Sequence, residues 1–528
     1  MVAGLLGLAV LAAAPTRPAA QPPSHVRVAF DEPLRVWDGF GVNYVQSAQT
    51  PDPRTSPQDF GGASVLSEAS RRELIDLVFG RDGLQPDLLK LWILPFHEPV
   101  NDNADPERTD AKRIDLSVGT EWMRWFAREG AAATRARGGA LQILATLYGP
   151  PGWMTRQGTL RGRDLDPAMD LELAEYLAAY VGGLAKEEGL TVRWVSLHNE
   201  GEHAIRYAEA GEASGRLAGH DYNLFWTPAQ VTRLLCTVRS YFDRHGLERV
   251  GLTPGETTYW TWLRPIAAAI VADPCAARSI GLVTSHGFDA GGDPTADWYA
   301  PLWAHADPRP LAWLRASRPD LHAWVTSARW GADVPAGGAT TPRMAFDFLE
   351  SIRRHVYEVG VNGYIPWAVV QRWSQWQTDG QVPNKGAGFL VGDDGRLTVQ
   401  RGFHLYRHLT RAGRAGMRVA RVASDDPWII PFAFARGDAG VPSAFVLANA
   451  SWYAVPLEVH VSGTDARRLV GRRTVTDLLP ARHWVGPRPT PETWQPLPDV
   501  PVSAAGVATL TLPPMSVVTF WEAAGSLP

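Results

Sequence analysis

Between about residue 85 and residue 415, short apolar runs alternate with long amphipathic stretches, and this alternation constrains the fold more than any other feature of the chain. Runs rich in Leu, Ile and Val at Leu88–Leu94, Leu141–Leu147, Thr191–Leu197, Arg249–Thr253, Ile280–Thr284, Leu321–Thr326 and Gly363–Val370 read as strands. Helical periodicity fills the intervals at Glu121–Arg135, Asp170–Glu188, Pro228–His245, Leu263–Ala272 and Met344–Val359. With Trp37–Tyr44 as the opening strand, the stretch holds about eight strand–helix units. Strands separated by helices pair in parallel, because each helix returns the chain to the starting edge of the sheet. The predicted fold class is therefore α/β, a (β/α)8 TIM barrel over residues 37–414, with a doubly wound open sheet as the alternative.

After about Arg414 the helical periods stop. Short runs at Ile429–Phe434, Ala444–Leu447, Leu457–Val461, Val507–Leu512 and Ser516–Trp521 lie between Gly, Pro and Asp turns, which predicts an all-β sandwich over residues 415–528. Residues 24–36, ahead of the barrel, are expected to add strands to that sandwich. Residues 1–23 begin with an apolar core that ends in small residues, the pattern of a signal peptide. That core is too short to span a bilayer, no other run reaches 18 apolar residues, and the expected location is extracellular. The two cysteines, Cys236 and Cys275, leave a disulfide and a pair of buried thiols both open. A net charge of −4 argues against nucleic acid as a partner. The chain is expected to act as a monomer.

Barrels of this kind carry their chemistry at the C-terminal ends of the strands. There this sequence reads Tyr148-Gly-Pro-Pro-Gly-Trp-Met154, His198-Asn-Glu-Gly-Glu202, Thr253-Pro-Gly-Glu-Thr257, Ser285-His-Gly-Phe-Asp289, Trp324-Val-Thr-Ser-Ala328 and Pro366-Trp367 followed by Gln371. Carboxylates, an Asn, a His and several indoles at such positions suit glycosidic-bond cleavage. One carboxyl group protonates the leaving oxygen and a second attacks, or activates water. The chain also holds 22 tryptophans, whose flat apolar faces with one N–H suit sugar rings. Metal is not expected here: His198, Glu200, Glu202 and His203 lack the helical spacing of a zinc motif. No cofactor is expected either.

The chain resembles glycoside hydrolase clan A, and family 30 within it, through Trp37-Asp-Gly-Phe-Gly41, Gly149-Pro-Pro-Gly-Trp-Met154, the Leu173–Glu188 helix leading into Val195-Ser-Leu-His-Asn-Glu200, and Leu512-Pro-Pro-Met-Ser-Val-Val-Thr-Phe520. The resemblance implies a carbohydrate substrate, Asn199 as the contact to a sugar 2-hydroxyl and Glu200 as general acid/base. It also places His286 at the sugar site. The sequence departs from the family pattern after strand seven, where Ser327 stands in place of the nucleophilic Glu. A serine without an adjacent base is a poor glycosyl nucleophile.

Three explanations stay open. A relocated carboxylate takes the second role, with Glu256 favoured over Glu202 and Asp289; the substrate supplies its own nucleophile; or the barrel binds carbohydrate without cutting it. Trp367 and Trp153 are expected to stack on sugar, and Ser327 and Glu202 to line the cleft. Trp373 and Trp376 are candidates for an outer subsite. Asp59 and Phe60 are candidates for shaping the cleft, with simple turn formation as the alternative. Trp194 and Trp521 read as packing residues.

Overall fold

The computed structural model describes residues 22–202, 222–288, 307–330, 344–372, 374–375, 377–378, 382–383, 387–438, 440–476 and 490–523. Nearly all of the expected signal peptide, together with Asp289, Trp373 and Trp376, lies outside these residues.

Eight strand positions form a parallel barrel: Gly39–Asn43, Leu88–Ile93, Gln142–Leu147, Val192–Ser196, a fifth in two pieces (Gly251–Thr253 and Glu256–Thr257), Leu282–Ser285, His322–Arg329 and Gly363–Trp367. The first piece of strand five pairs with strand four and the second with strand six. Bridges at Asn199–Glu256 and Leu252–Ile280 close the ring across the break. The sheet therefore has no open edge of the kind a doubly wound fold presents. Helices follow the strands in order: Glu68–Phe79, Glu121–Ala136, Asp170–Glu188, Pro228–Arg244, Arg264–Ala272 with Pro274–Ser279, Arg309–Ser317, Met344–Arg354, and Arg401–Ala412. Local chemistry sets their ends. Thr227 and Gln230 form a reciprocal capping box ahead of Pro228, and Gly189 ends Asp170–Glu188 in the left-handed conformation at φ 64°. Cys236 and Cys275 form a disulfide between Pro228–Arg244 and Pro274–Ser279, with Cα atoms 5.8 Å apart.

The second layer is one ten-stranded sheet that includes Ser24–Val36 from ahead of the barrel. That strand runs antiparallel to Arg418–Ser424 and parallel to Val455–Ser462, so residues from both ends of the chain share the sheet. The sheet closes over a core of its own containing Val26, Val28, Phe445, Leu457, Ala508 and Phe520. The alternate residues Phe432, Phe434, Val446 and Val517 belong to the barrel's core instead. Burial on both faces explains why Ile429–Ala435 and Ala444–Asn449 are apolar throughout rather than alternating. Among the described residues no helix is long and apolar enough to cross a membrane.

Inside the barrel, period-two side-chain alternation stacks residues in layers. Leu88, Leu144, Leu282, Trp324 and Ile365 make an apolar cluster, and Trp324 Nε1 donates to Asp38 just ahead of strand one, at 2.6 Å. Trp324 is therefore a barrel plug and not part of a strand-end cleft. Two residues further along four of these strands the interior turns polar, with Lys90, Thr146, Thr284 and Thr326, while the fifth carries Trp367.

Candidate active site

Glu256 is the centre of the polar layer. It follows Pro254-Gly255, which breaks strand five. Gly255 has φ +118°, and a Cβ there would come within 2.1 Å of the His198 ring, so the turn that delivers Glu256 requires glycine. Glu256 is fully buried and ion-paired with Lys90, which is also fully buried. Its oxygens accept from Lys90 Nζ and Thr146 Oγ1, from Thr326 Oγ1 at 2.8 Å and from His286 Nε2 at 3.2 Å. Burial alone would raise its pKa. Lys90, followed by the hydrogen bond and charge of His286, outweighs burial and holds the carboxyl at about 2.

His286 continues the chain of charges. Its Nδ1 lies 2.8 Å from Glu200 Oε1, so one imidazole joins the two carboxylates. Burial opposes protonation, but the hydrogen bonds to Glu200 and Glu256 raise its pKa above the ordinary 6.5. With an acceptor at each nitrogen, the protonated ring donates on both sides.

Glu200 itself has φ +47°, a left-handed conformation that is uncommon for a residue with a side chain. Its N–H donates to the Glu256 carbonyl at 2.7 Å, and the next residue's N–H donates to His198 Nδ1 at 3.3 Å. These bonds hold the turn that lifts Glu200 off the strand end, and backbone strain of this kind clusters at functional sites. His198 is a support: it is buried, stacked on Trp226 at 6.0 Å, and kept neutral by burial, which lowers its pKa to about 3.

The other expected site residues separate into two groups. Asn199 is buried beside Glu200, its Nδ2 donates to Asn223 at 3.3 Å, and its Oδ1 has no partner among the described residues. Trp367 is buried at the end of strand eight and meets Trp92 edge to face at 5.7 Å. Trp92 also contacts Tyr148 at 4.3 Å, with Lys90 Nζ 3.9 Å from its ring centre. Glu202 Oε1 accepts from the Thr258 N–H at 2.6 Å, while its Oε2 is buried without a described partner. Burial first, and the charge of Glu200 second, raise the Glu202 pKa.

Trp153 is half-buried and donates to the Glu98 carbonyl at 3.0 Å. Asp59 is buried and bonded to the Tyr44 hydroxyl and Ser64 N–H, each at 2.7 Å, which makes it an organiser of its own loop. Ser327 is buried beside Thr326, where strand seven carries one extra residue opposite strand eight. Sequence reasoning missed Lys90, Trp92 and Thr326. The readable signal for Lys90 was a lysine in the middle of the apolar run LLKLWI.

This geometry bears on the expected second catalytic carboxylate. A nucleophile must reach the anomeric carbon, and a base must reach water. Glu256 is sealed from solvent, and four donors from four different strand positions occupy its oxygens. Its carboxylate is linked to that of Glu200 through His286.

Further polar atoms at the strand ends are buried without partners among the described residues: both amide atoms of Asn43, Trp92 Nε1 and both amide atoms of Gln371. They fall at or after the ends of strands one, two and eight. Folded proteins satisfy most buried polar groups, so these atoms are open to further hydrogen bonds.

No protein-family model matches the chain, and no curated protein sequence does. Solved structures do match. A GH30 endoxylanase from Clostridium papyrosolvens C71 aligns with a TM-score of 0.62 at 16% identity, covering 95% of this chain and 100% of that one. SrfJ from Salmonella typhimurium aligns with a TM-score of 0.68 at 15% identity, covering 96% and 94%. The catalytic domain of GH30 xylanase C from Talaromyces cellulolyticus aligns with a TM-score of 0.67 at 14% identity, covering 95% and 100%. The chain has the fold of glycoside hydrolase family 30, a TIM barrel joined to a β-rich companion.

Proposed function

We propose that this protein is a secreted glycosidase that acts as a monomer and cleaves an O-glycosidic bond in an oligo- or polysaccharide, with Glu200 as general acid/base. The observation that carries this reading is the left-handed Glu200 at the end of strand four, hydrogen-bonded to a histidine that is itself tied to a buried carboxylate. Trp367, backed edge to face by Trp92, offers an apolar face to a sugar ring, and Asn43, Asn199 and Gln371 offer unpaired amide atoms to its hydroxyls. Glu256 acts through His286 as a positioning residue: it fixes the ring, stabilises its charge and so sets the proton affinity of Glu200. Glu202, with its raised pKa and unpartnered oxygen, is the carboxyl group best placed to share proton transfer with Glu200. The disulfide fits an oxidising location outside the cell.

Ser327 favours a second reading, in which the barrel binds carbohydrate without cutting it. A screen of plant and microbial polysaccharides with reducing-end detection, run beside Glu200→Gln, separates the two. The first reading expects release by the wild type and loss in the variant. Glycan binding that Glu200→Gln leaves unchanged, with no release by the wild type, supports the second and overturns the first.

A further inference from the structure

Far from the barrel's strand ends, the outer face of the second sheet brings two histidines and a glutamate together. In the register between Ser24–Val36 and Val455–Ser462, His25 lies opposite Glu458 and Arg27 opposite His460. Alternation buries Val26, Val28, Val459 and Val461 and turns His25, Glu458 and His460 to the other face. His460 Nε2 is 3.2 Å from Glu458 Oε1, the two imidazoles are 6.0 Å apart centre to centre, and one ligand atom from each of the three residues lies within 4.8 Å of the others. Donors around one tetrahedral zinc, with bonds of about 2.1 Å, sit about 3.4 Å apart, so small rotations of exposed side chains close this set.

We propose that His25, Glu458 and His460 form a site for one divalent transition-metal ion of the zinc type, with water completing the coordination. Two imidazoles and one carboxylate are a zinc donor set, whereas calcium and magnesium take oxygen ligands. The neighbouring charge is accommodated: Arg27, the nearer of the two arginines on the same strand, is paired with Glu32. The neighbours on Val507–Leu512 are neutral, with Thr509 opposite Glu458 and Val507 opposite His460. Asp425 lies next to His25 and accepts its backbone N–H at 2.7 Å, which adds negative charge to the locale.

The consequence follows from the chain's path. His25 precedes the barrel and Glu458 and His460 follow it, so the three ligands come together only in the folded protein. The metal would then clip the first strand to the last domain and stabilise the native state by mass action. This does not depend on the barrel being an enzyme.

The test is zinc titration of untagged full-length protein, by calorimetry and by competition with a chromophoric chelator, beside thermal denaturation with and without zinc. The expected result is one zinc per chain and a rise in Tm with zinc. His25→Ala and His460→Ala should each weaken binding by about tenfold or more and abolish the Tm rise, because each removes a direct ligand. His245→Ala, at an exposed histidine paired with Glu107, should leave both intact. All three are surface changes, and their metal-free Tm values report folding separately. No saturable binding by the wild type at 100 μM free zinc, or binding retained in both His25→Ala and His460→Ala, overturns the proposal.

Discussion

His286 in the barrel and His408 at the junction with the second sheet are both buried, with both ring nitrogens hydrogen-bonded, yet their partners shift their pKa values in opposite directions. His286 lies between the carboxylates of Glu200 and Glu256, which raise its pKa. His408 lies between two hydroxyls, Thr519 at 2.7 Å and Thr474 at 2.8 Å, and its pKa is lowered well below 6.5. Burial drives that depression, and the positive charges of Arg407 and His404 add to it. A hydroxyl adapts to either tautomer but neutralises no charge, whereas a carboxylate does. Burial and bonding alone therefore do not mark a chemical site; the charge of the partners does. His408 joins helix Arg401–Ala412 to the sheet as a packing element, and His286 transmits charge between two acids.

The sharpest way to break this contrast is Glu200→Gln. If the barrel histidine serves chemistry, reducing-sugar release should fall by about 10²–10⁴-fold while the melting temperature stays near that of the wild type.

The next largest effect concerns what holds the charged chain in place. Lys90→Met leaves Glu256 buried without its cation, and unfolding in urea should show a loss of about 3–5 kcal/mol. Adding Glu256→Gln to that variant should recover much of the loss. Failure to recover would mean that the pair does not act as a unit.

A smaller loss is expected at the junction. His408→Leu removes one hydrogen bond each from Thr474 and Thr519, which keep the Trp494 N–H and the residue-408 carbonyl, and should cost about 1–3 kcal/mol. Turnover per folded molecule should not change. A drop in turnover would erase the distinction between the two histidines.

The subtlest expectation is the sign of pH dependence. His286, with its folded pKa raised above 6.5, adds stability that is complete below 6.5 and is lost as pH rises through the raised value. His408, with its folded pKa depressed, adds stability that is complete above 6.5 and is lost as pH falls below it. Nitrogen-15 NMR of histidine side chains through a pH titration should find the His286 transition above 6.5 and the His408 transition below it. Matching transitions would collapse the comparison.

The long, strongly periodic elements were legible. The amphipathic run Asp170–Glu188 is a helix over the same residues, and Val507–Leu512 is a strand over the same residues. Helices Glu68–Phe79, Pro274–Ser279, Arg309–Ser317 and Arg401–Ala412 were missed. Arg401–Ala412 in fact carries Gly402, Leu405, Tyr406, Leu409 and Ala412 at helical spacing, a stripe that was legible and was passed over. The strand-end positions of Glu200, Asn199 and His286 were readable because each closely follows an apolar strand run. The direction of Trp324 was not legible. In a strand apolar on both faces, nothing local says which residues point inward.

The sequence by itself determined the alternation that makes a barrel, the order of its strands and the strand-end segments that carry polar groups. These depend on periodicity and turn residues, which act over a few positions. Only the tertiary structure decided that Lys90 meets Glu256 across 166 residues, that His286 bridges Glu256 to Glu200, and that Glu256 is sealed from solvent. Such meetings are set by strand register and barrel closure, which fix the height at which inward side chains from distant strands share a layer.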